Sequence, residues 1–122
     1  MEYSYVINNK IIIVIVVGIL IAEEVALMGI KIRIKALNLN CKIIFDFTNA
    51  KNQMTIANAY YWFLDYYDNV DMKFRYIQTA HLSNEQNEAF FKFVETTCNN
   101  KGILIRMFKE KKEALLWFEL FR

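Results

Sequence analysis

The stretch "NCKIIFDFTNAKNQMTIANAYYWF", Asn40 to Phe63, contains the elements that decide the fold. Its β-branched and aromatic run predicts a buried strand over residues 42–47, because strands covered on both faces are continuously apolar. The polar residues 48–53 predict a turn. Apolar residues at helical spacing then predict a helix from Thr55 to about residue 67. Strand, turn and helix in this order form the repeating unit of a parallel α/β sheet.

The preceding segment predicts a β-hairpin. Its arms are residues 4–7 and 11–17, Asn8 and Asn9 supply the turn with φ > 0, and Gly18 ends the second arm. The apolar run of residues 10–22 is shorter than the roughly 18 residues that a membrane-spanning helix needs. Its β-branched character favours a buried strand over a signal peptide.

A helix is predicted over residues 22–37, with Glu23 and Glu24 in the first turn, where the helix dipole favours acids. Within it, however, "IKIRIK" (residues 30–35) alternates with period two, which is a strand signal. Local pattern alone leaves both readings open.

The rest of the chain continues the alternation of strands and helices. We expect a strand over residues 72–78, a helix opened by the capping box of residues 83–86, a helix end at residues 99–102, a strand over residues 103–108 and a last helix over residues 110–121. The order β-β-α-β-α-β-α-β-α predicts a single α/β domain spanning residues 1–122. Its sheet would be mixed and mostly parallel, with about five strands and four helices.

Composition excludes several classes of protein. Hydrophobic residues make up 56% of the chain, which argues for a packed core and against disorder. The net charge of +2 comes from well-mixed acids and bases. The chain therefore lacks the cluster of Lys and Arg residues on one face that is typical of nucleic-acid-binding proteins. Cys41 and Cys98 lack CxxC spacing, and two such cysteines fit core thiols in a reduced, cytoplasmic setting.

No catalytic or cofactor motif is found in the sequence. His81 is the single histidine, no ligand spacing for a metal surrounds it, and the three glycines cannot build a phosphate-binding loop. A lone histidine before a helix cap is most simply a loop residue, although sequence cannot decide whether it meets Cys98 in space. The chain is therefore predicted to be no enzyme and to hold no cofactor and no metal.

The chain resembles the STAS, or SpoIIAA-like, family of bacterial anti-sigma-factor antagonists. The resemblance spans nearly all of it, through "IVVGILIAEEV" (residues 15–25), "KIIFDFTNAKNQMT" (residues 42–55) and "NNKGILIRMFKEKKEALLWF" (residues 99–118). The last segment is most similar to the branch related to CRAL-TRIO lipid-binding domains. The resemblance implies the SpoIIAA-like fold, favours a helix over residues 22–37, and implies a non-enzymatic regulatory domain that binds a kinase-like or sigma-regulatory protein.

The resemblance also directs attention to the turn after the second buried strand. Phosphorylated members carry an Asp-Ser-x-Gly-like motif there, and Met54 and Thr55 occupy the Asp-Ser positions. Because Met54 replaces the acid and Ala57 the glycine, we predict a turn without a working phospho-switch, in which Thr55 acts as a helix N-cap. Asp46 and Thr48 flank this turn, where Asp46 could bind a partner or cation, or accept hydrogen bonds from the following amides.

An unusual strip of aromatic residues follows the turn. Not all of its rings can face one core, so it is a candidate surface for a protein partner or an apolar ligand, unless the rings simply fill the core. Its members are Tyr60, Tyr61, Trp62, Tyr66 and Tyr67. The strip and the CRAL-TRIO-like ending support an alternative function, a small binding module for an apolar ligand or lipid. A homodimer is compatible with the apolar surplus, but the sequence does not say through which face.

Overall fold

A computed structural model describes residues 1–59 and 72–121 of the chain. The predicted helix beyond residue 59 and the aromatic strip from Tyr60 to Tyr67 lie outside these described residues.

The described residues form one five-stranded sheet, in the order β1-β2-β3-β4-β5. β1 and β2 are antiparallel, and the remaining neighbours are parallel. The strands are β1 (Glu2–Asn8), β2 (Ile11–Leu20), β3 (Lys42–Asn52), β4 (Thr79–Leu82) and β5 (Ile105–Phe108). The helices are α1 (Ala22–Leu39), α2 (Ile56–Ala59), α3 (Glu88–Asn100) and α4 (Lys111–Leu120), with a 3-10 helix at Met72–Tyr76. The predicted α/β architecture is therefore confirmed.

The sheet has two faces with different cover. Residues Ile12, Val14 and Val16 of β2 pack in the main core cluster with buried residues of α1 and α3. We call this the covered face, since right-handed crossovers between successive neighbouring strands bring their helices to one side. Among the described residues, only α4 packs on the opposite side, where Trp117 and Phe118 cover Ile44, Ala80 and Leu82.

The helix reading of residues 30–35 is the correct one. α1 runs through this segment and buries Ile32 and Arg33, and it ends at Asn40, which adopts a left-handed conformation with φ 54°. The strand-like alternation does not follow burial in this helix, since Arg33 is buried and Ile34 is 48% exposed.

The predicted hairpin is correct in kind, but its boundaries differ. The turn consists of Asn9 and Lys10, with φ of 52° and 63°, because Asn8 pairs with Ile11. Gly18 does not end β2. It adopts φ 90° inside the strand, which continues to Leu20.

Four other predicted boundaries are wrong. β3 continues through residues 48–52, which we expected to be a turn, because this segment still pairs with β2. Residues 72–76 form the 3-10 helix, and the strand lies at Thr79–Leu82, where all four residues are buried. α3 begins at Glu88 and β5 at Ile105, later than predicted. α4 begins at Lys111 with a capping box of Glu110 and Glu113, which sequence reasoning did not predict.

Candidate functional site

An uncovered apolar patch lies on the α4 side of the sheet, beside the area that α4 covers. We call it the open face and define it by Val6, Ile13, Ile15, Val17 and Ile19. Odd-numbered residues of β2 point to this side, and Val6 stands opposite Ile13 on β1. Ile15 is 41% exposed and Val6 59%. Four of these five side chains are therefore exposed, and Ile13 is half-buried against the α4 cluster.

Asp46 and Thr48 border the open face. Asp46 is the register partner of Ile15, and the pairing of β2 with β3 shifts just beyond it. One Asp46 carboxylate oxygen accepts hydrogen bonds from the Thr48 amide at 2.9 Å and from the Thr48 hydroxyl at 2.6 Å. The two predicted site residues therefore lie together. Asp46 accepts hydrogen bonds from the residue two positions later, and these bonds stabilise β3 where its register against β2 shifts.

Thr55 lies in a different environment. It is exposed just before α2, its hydroxyl oxygen accepts the Asn58 amide at 3.1 Å, and the hydroxyl also bonds the Asn58 side chain. This is the geometry of a helix N-cap. Among the described hydrogen bonds, none joins Thr55 to Asp46 or Thr48, so the three candidate residues do not form one site.

Side-chain amides take the place of a strand beside the end of β3. β4 pairs with β3 only up to Asp46. Beyond it, Asn87 donates to the carbonyls of Phe47 and Ala50 at 3.1 and 3.4 Å, and Asn84 donates to Thr48 and Ala50 at 3.0 and 3.2 Å. Sequence reasoning missed these roles, because asparagines at a turn carry no signal of which distant strand they will meet.

Gln86 completes this arrangement. Its amide oxygen accepts the Asn52 amide at 2.9 Å, and its nitrogen donates to the Asn52 carbonyl at 2.8 Å. The predicted capping box of residues 83–86 is therefore wrong. Asn84 and Asn87 instead close the turn by bonding each other's backbone amides at 2.8 and 2.9 Å.

His81 is a core residue and not the loop residue that we expected. It lies on β4, 7% exposed, with the rings of Phe45, Phe47 and Phe91 at 5.4–5.9 Å. Burial, with a smaller contribution from the positive charge of Arg33, lowers the pKa of His81 to about 3. Its Nδ1 atom has no hydrogen-bond partner among the described residues. The imidazole is therefore neutral at physiological pH.

Arg33 and Cys98 share this buried region. The Arg33 guanidinium lies 5.4 Å from the Phe45 ring centre and donates to the Gly29 carbonyl at 3.2 Å. Burial raises the pKa of the Cys98 thiol to about 11, against opposing contributions from Arg33 and Lys101. A neutral histidine and a protonated thiol do not make an activated nucleophile.

The cavity beside His81 is small. Its volume is about 20 Å³, and its lining includes Arg33, Phe45, Phe47 and Phe91. A space of this size holds about one water molecule. Within the part of the chain that the structure describes, no group of three His, Cys, Asp or Glu side chains is placed to hold a metal ion.

Two further findings complete the description. Over residues 1–59 and 72–121, none of the helices combines the length and apolar character needed to cross a membrane.

No protein-family model matches the chain, and no curated protein matches it. The open face and its Asp46–Thr48 border are then the features from which a function can be argued.

Proposed function

We propose that this chain is a STAS-like protein-interaction domain that acts by binding another protein through its open face, without catalysis and without a working phospho-switch. The observation that carries the proposal is the row of exposed apolar side chains on β2, of which Ile15, Val17 and Ile19 are 41%, 38% and 47% exposed.

The composition of the open face suits protein recognition. Contiguous exposed apolar patches mark interaction sites, and interfaces combine an apolar centre with a polar rim. Here the β-branched side chains of β2 form the centre, and Asp46 and Thr48 form part of the rim. Because β-branched side chains have few rotamers to lose and stand on a paired strand, they lose little conformational entropy on binding.

Two features support the STAS-like assignment. The order of strands and helices is the layout that the resemblance implies, with the antiparallel hairpin first and parallel strands after it. Thr55 occupies the start of the helix after β3, where it already serves as an N-cap. A kinase-like or sigma-regulatory protein remains the expected partner.

The alternative of an apolar-ligand module is not favoured by the cavities of the described residues. The cavity of about 20 Å³ beside His81 is far smaller than the roughly 300–1,000 Å³ of small-molecule sites. A wider cleft of about 660 Å³ lies between α1 and the 3-10 helix, but its lining includes the polar side chains of Asn40, Lys73 and Gln78. The aromatic strip on which that alternative depended lies outside the described residues, so we do not propose it as a function.

Affinity capture with matched variants tests the proposed function. Ile15→Glu places a charge in the open face, and Leu116→Glu places one on α4, at an apolar residue that is 57% exposed. We expect wild type and Leu116→Glu to capture the same partner from source lysate in similar amounts. Ile15→Glu should capture at least about tenfold less of that partner. Circular dichroism first establishes that both variants fold. A partner retained by Ile15→Glu, or no specific partner at all, would contradict the proposal.

A further inference from the structure

The two edges of the sheet are built differently. β5 is a four-residue strand with Arg106 exposed on it, and the Glu95 carboxylate accepts its Met107 amide at 2.6 Å. Short length, a cation and a side chain bonded to the edge are devices that block pairing with another strand. This edge is therefore protected.

β1, the other edge, has none of these devices. It has seven residues, all exposed, and pairs with β2 in unbroken register. Residues 3–7 are "YSYVI", without charge or proline. Among the described residues, no side chain bonds to the free edge of β1 as Glu95 does to that of β5. An edge that is long, regular and uncharged is a template for another strand.

The hairpin geometry shows which backbone groups this edge offers. Asn8 and Ile11 flank a two-residue turn, so they form a hydrogen-bonded pair, and the antiparallel ladder then alternates. Ser4 and Val6 therefore direct their N–H and C=O groups to β2. Tyr3, Tyr5 and Ile7 direct theirs outward.

We infer that the β1 edge binds a second copy of this chain, with the two β1 strands antiparallel across a two-fold axis at Tyr5. This inference rests on the proposed function and deepens it, since it names a partner for the β1–β2 hairpin that carries the open face. In this register Tyr5 exchanges both backbone hydrogen bonds with its own copy. Tyr3 does the same with Ile7 of the second copy.

The side chains are compatible with this register. Tyr5 meets Tyr5 on the covered face, where Lys35 already orders the ring by a cation–π contact at 5.6 Å. On the opposite side Ser4 meets Val6. At the strand ends Glu2 meets Asn8, so no like charges stand directly opposite each other in the two strands. The second copy is thus favoured over a strongly acidic or basic partner strand, for which residues 3–7 offer no complementary charge.

The dimer has a consequence for the open face. Continuing the sheet across the axis joins the two patches, because Val6 is the outermost member of each. A strand-edge contact of this length is small, so we expect a dissociation constant on the order of 10–100 μM.

The test combines sedimentation with amide hydrogen exchange on the whole chain. At concentrations up to about 200 μM, we expect dimer, and the amides of Tyr3, Tyr5 and Ile7 should exchange at least about tenfold more slowly than after dilution. The amides of Ser4 and Val6 should be protected in both states. A chain that stays monomeric, or edge amides that exchange rapidly in a dimer, would overturn the inference.

Variants separate edge pairing from other dimers. Tyr5→Pro removes an N–H that makes no bond to β2, so the hairpin should persist while dimerisation weakens at least tenfold or so. Tyr5→Ala retains the N–H and should retain the dimer. If Tyr5→Pro does not fold, Val6→Lys serves instead, as an edge lysine that blocks pairing.

A further variant distinguishes this inference from the proposed function. Ile15→Glu should lose the captured partner but still form the dimer. A dimer that survives both Tyr5→Pro and Val6→Lys, or one that Ile15→Glu abolishes, would show that the edge is not the interface.

Discussion

His81 shows how neighbouring residues decide what a titratable side chain does. Its sequence position, just before a turn, is compatible with a solvated loop, but the structure surrounds it with three phenylalanine rings. Burial among these rings, and to a lesser extent the nearby Arg33 guanidinium, disfavours an added proton. His81 therefore serves as a neutral, aromatic part of the core.

This burial predicts acid sensitivity. Between the ordinary pKa of 6.5 and the lowered value of about 3, the unfolded chain binds a proton at His81 that the folded chain does not. The free energy of unfolding therefore falls with falling pH in this window, by about 1.4 kcal/mol per pH unit. From pH 7 to 5, wild type should lose about 2 kcal/mol more than His81→Leu, which has no titrating group.

Urea unfolding of both proteins at the two pH values measures this difference. The comparison with His81→Leu removes the contribution of the carboxylates, which titrate in both. Equal pH dependence of the two proteins would show that His81 is accessible to protons in the folded state.

At the scale of elements, the end of β3 depends on side chains and not on a neighbouring strand. β4 is too short to pair with residues 47–52, so their carbonyls on that side need other donors. Asn84, Gln86 and Asn87 supply these donors from the turn before α3. The turn thereby ties the end of β3, next to the Asp46–Thr48 border, to the start of α3.

We expect Asn87→Ala to be strongly destabilising. Asn87 is fully buried, and its removal leaves the Phe47 carbonyl and the Asn84 backbone amide without their present partner, while the Ala50 carbonyl keeps only its bond from Asn84. The expected loss is about 2 kcal/mol. Gln86→Ala is the matched control, because exposed Gln86 can be replaced by water, and it should cost less than about 1 kcal/mol.

Denaturant unfolding measures both losses, and hydrogen exchange locates them. The Ala50 and Asn52 amides should exchange faster in both variants if the turn holds this segment. A stable Asn87→Ala would mean that its side-chain amide does not hold the end of β3. A Gln86→Ala loss of equal size would mean that burial does not set the size of the loss.

At the scale of the whole molecule, unequal cover of the sheet creates the open face. α1 and α3 pack on one side, whereas among the described residues only α4 packs on the other, where it extends over Ile44, Ala80 and Leu82. The later part of β2 lies beyond α4, so its odd-numbered side chains from Ile15 onward stay exposed. Part of the surplus of apolar residues seen in the sequence thus lies at a surface.

Native mass spectrometry should therefore detect the chain without a bound apolar molecule, as monomer and dimer. The physical reason is that the apolar cavity beside His81, of about 20 Å³, cannot hold a lipid, and the wider cleft beside Leu37 is lined in part by polar side chains such as Lys73 and Gln78. Denaturing spectra are the control and should give the same chain mass. A non-covalent adduct that disappears on denaturation would revive the ligand-binding alternative, and a covalent increment of about 80 Da at Thr55 would contradict the loss of the phospho-switch.

The sequence by itself determined the kinds of element and their order. The β-branched runs in β2 and β3 and the helix spacing in α3 are local signals, and local signals predict local structure. Sequence also identified Asp46, Thr48 and Thr55 as polar groups around one turn, but not which of them would meet.

Only the tertiary structure decided where strands end, which side chains are buried and which face stays open. The end of β3 depends on β2 and on amides more than thirty residues away, such as that of Asn87. His81 is buried because α1, β3 and α3 converge on it, and Ile15 is exposed because α4 stops short. These outcomes are sums of contacts between distant segments, and no window of neighbouring residues contains that information.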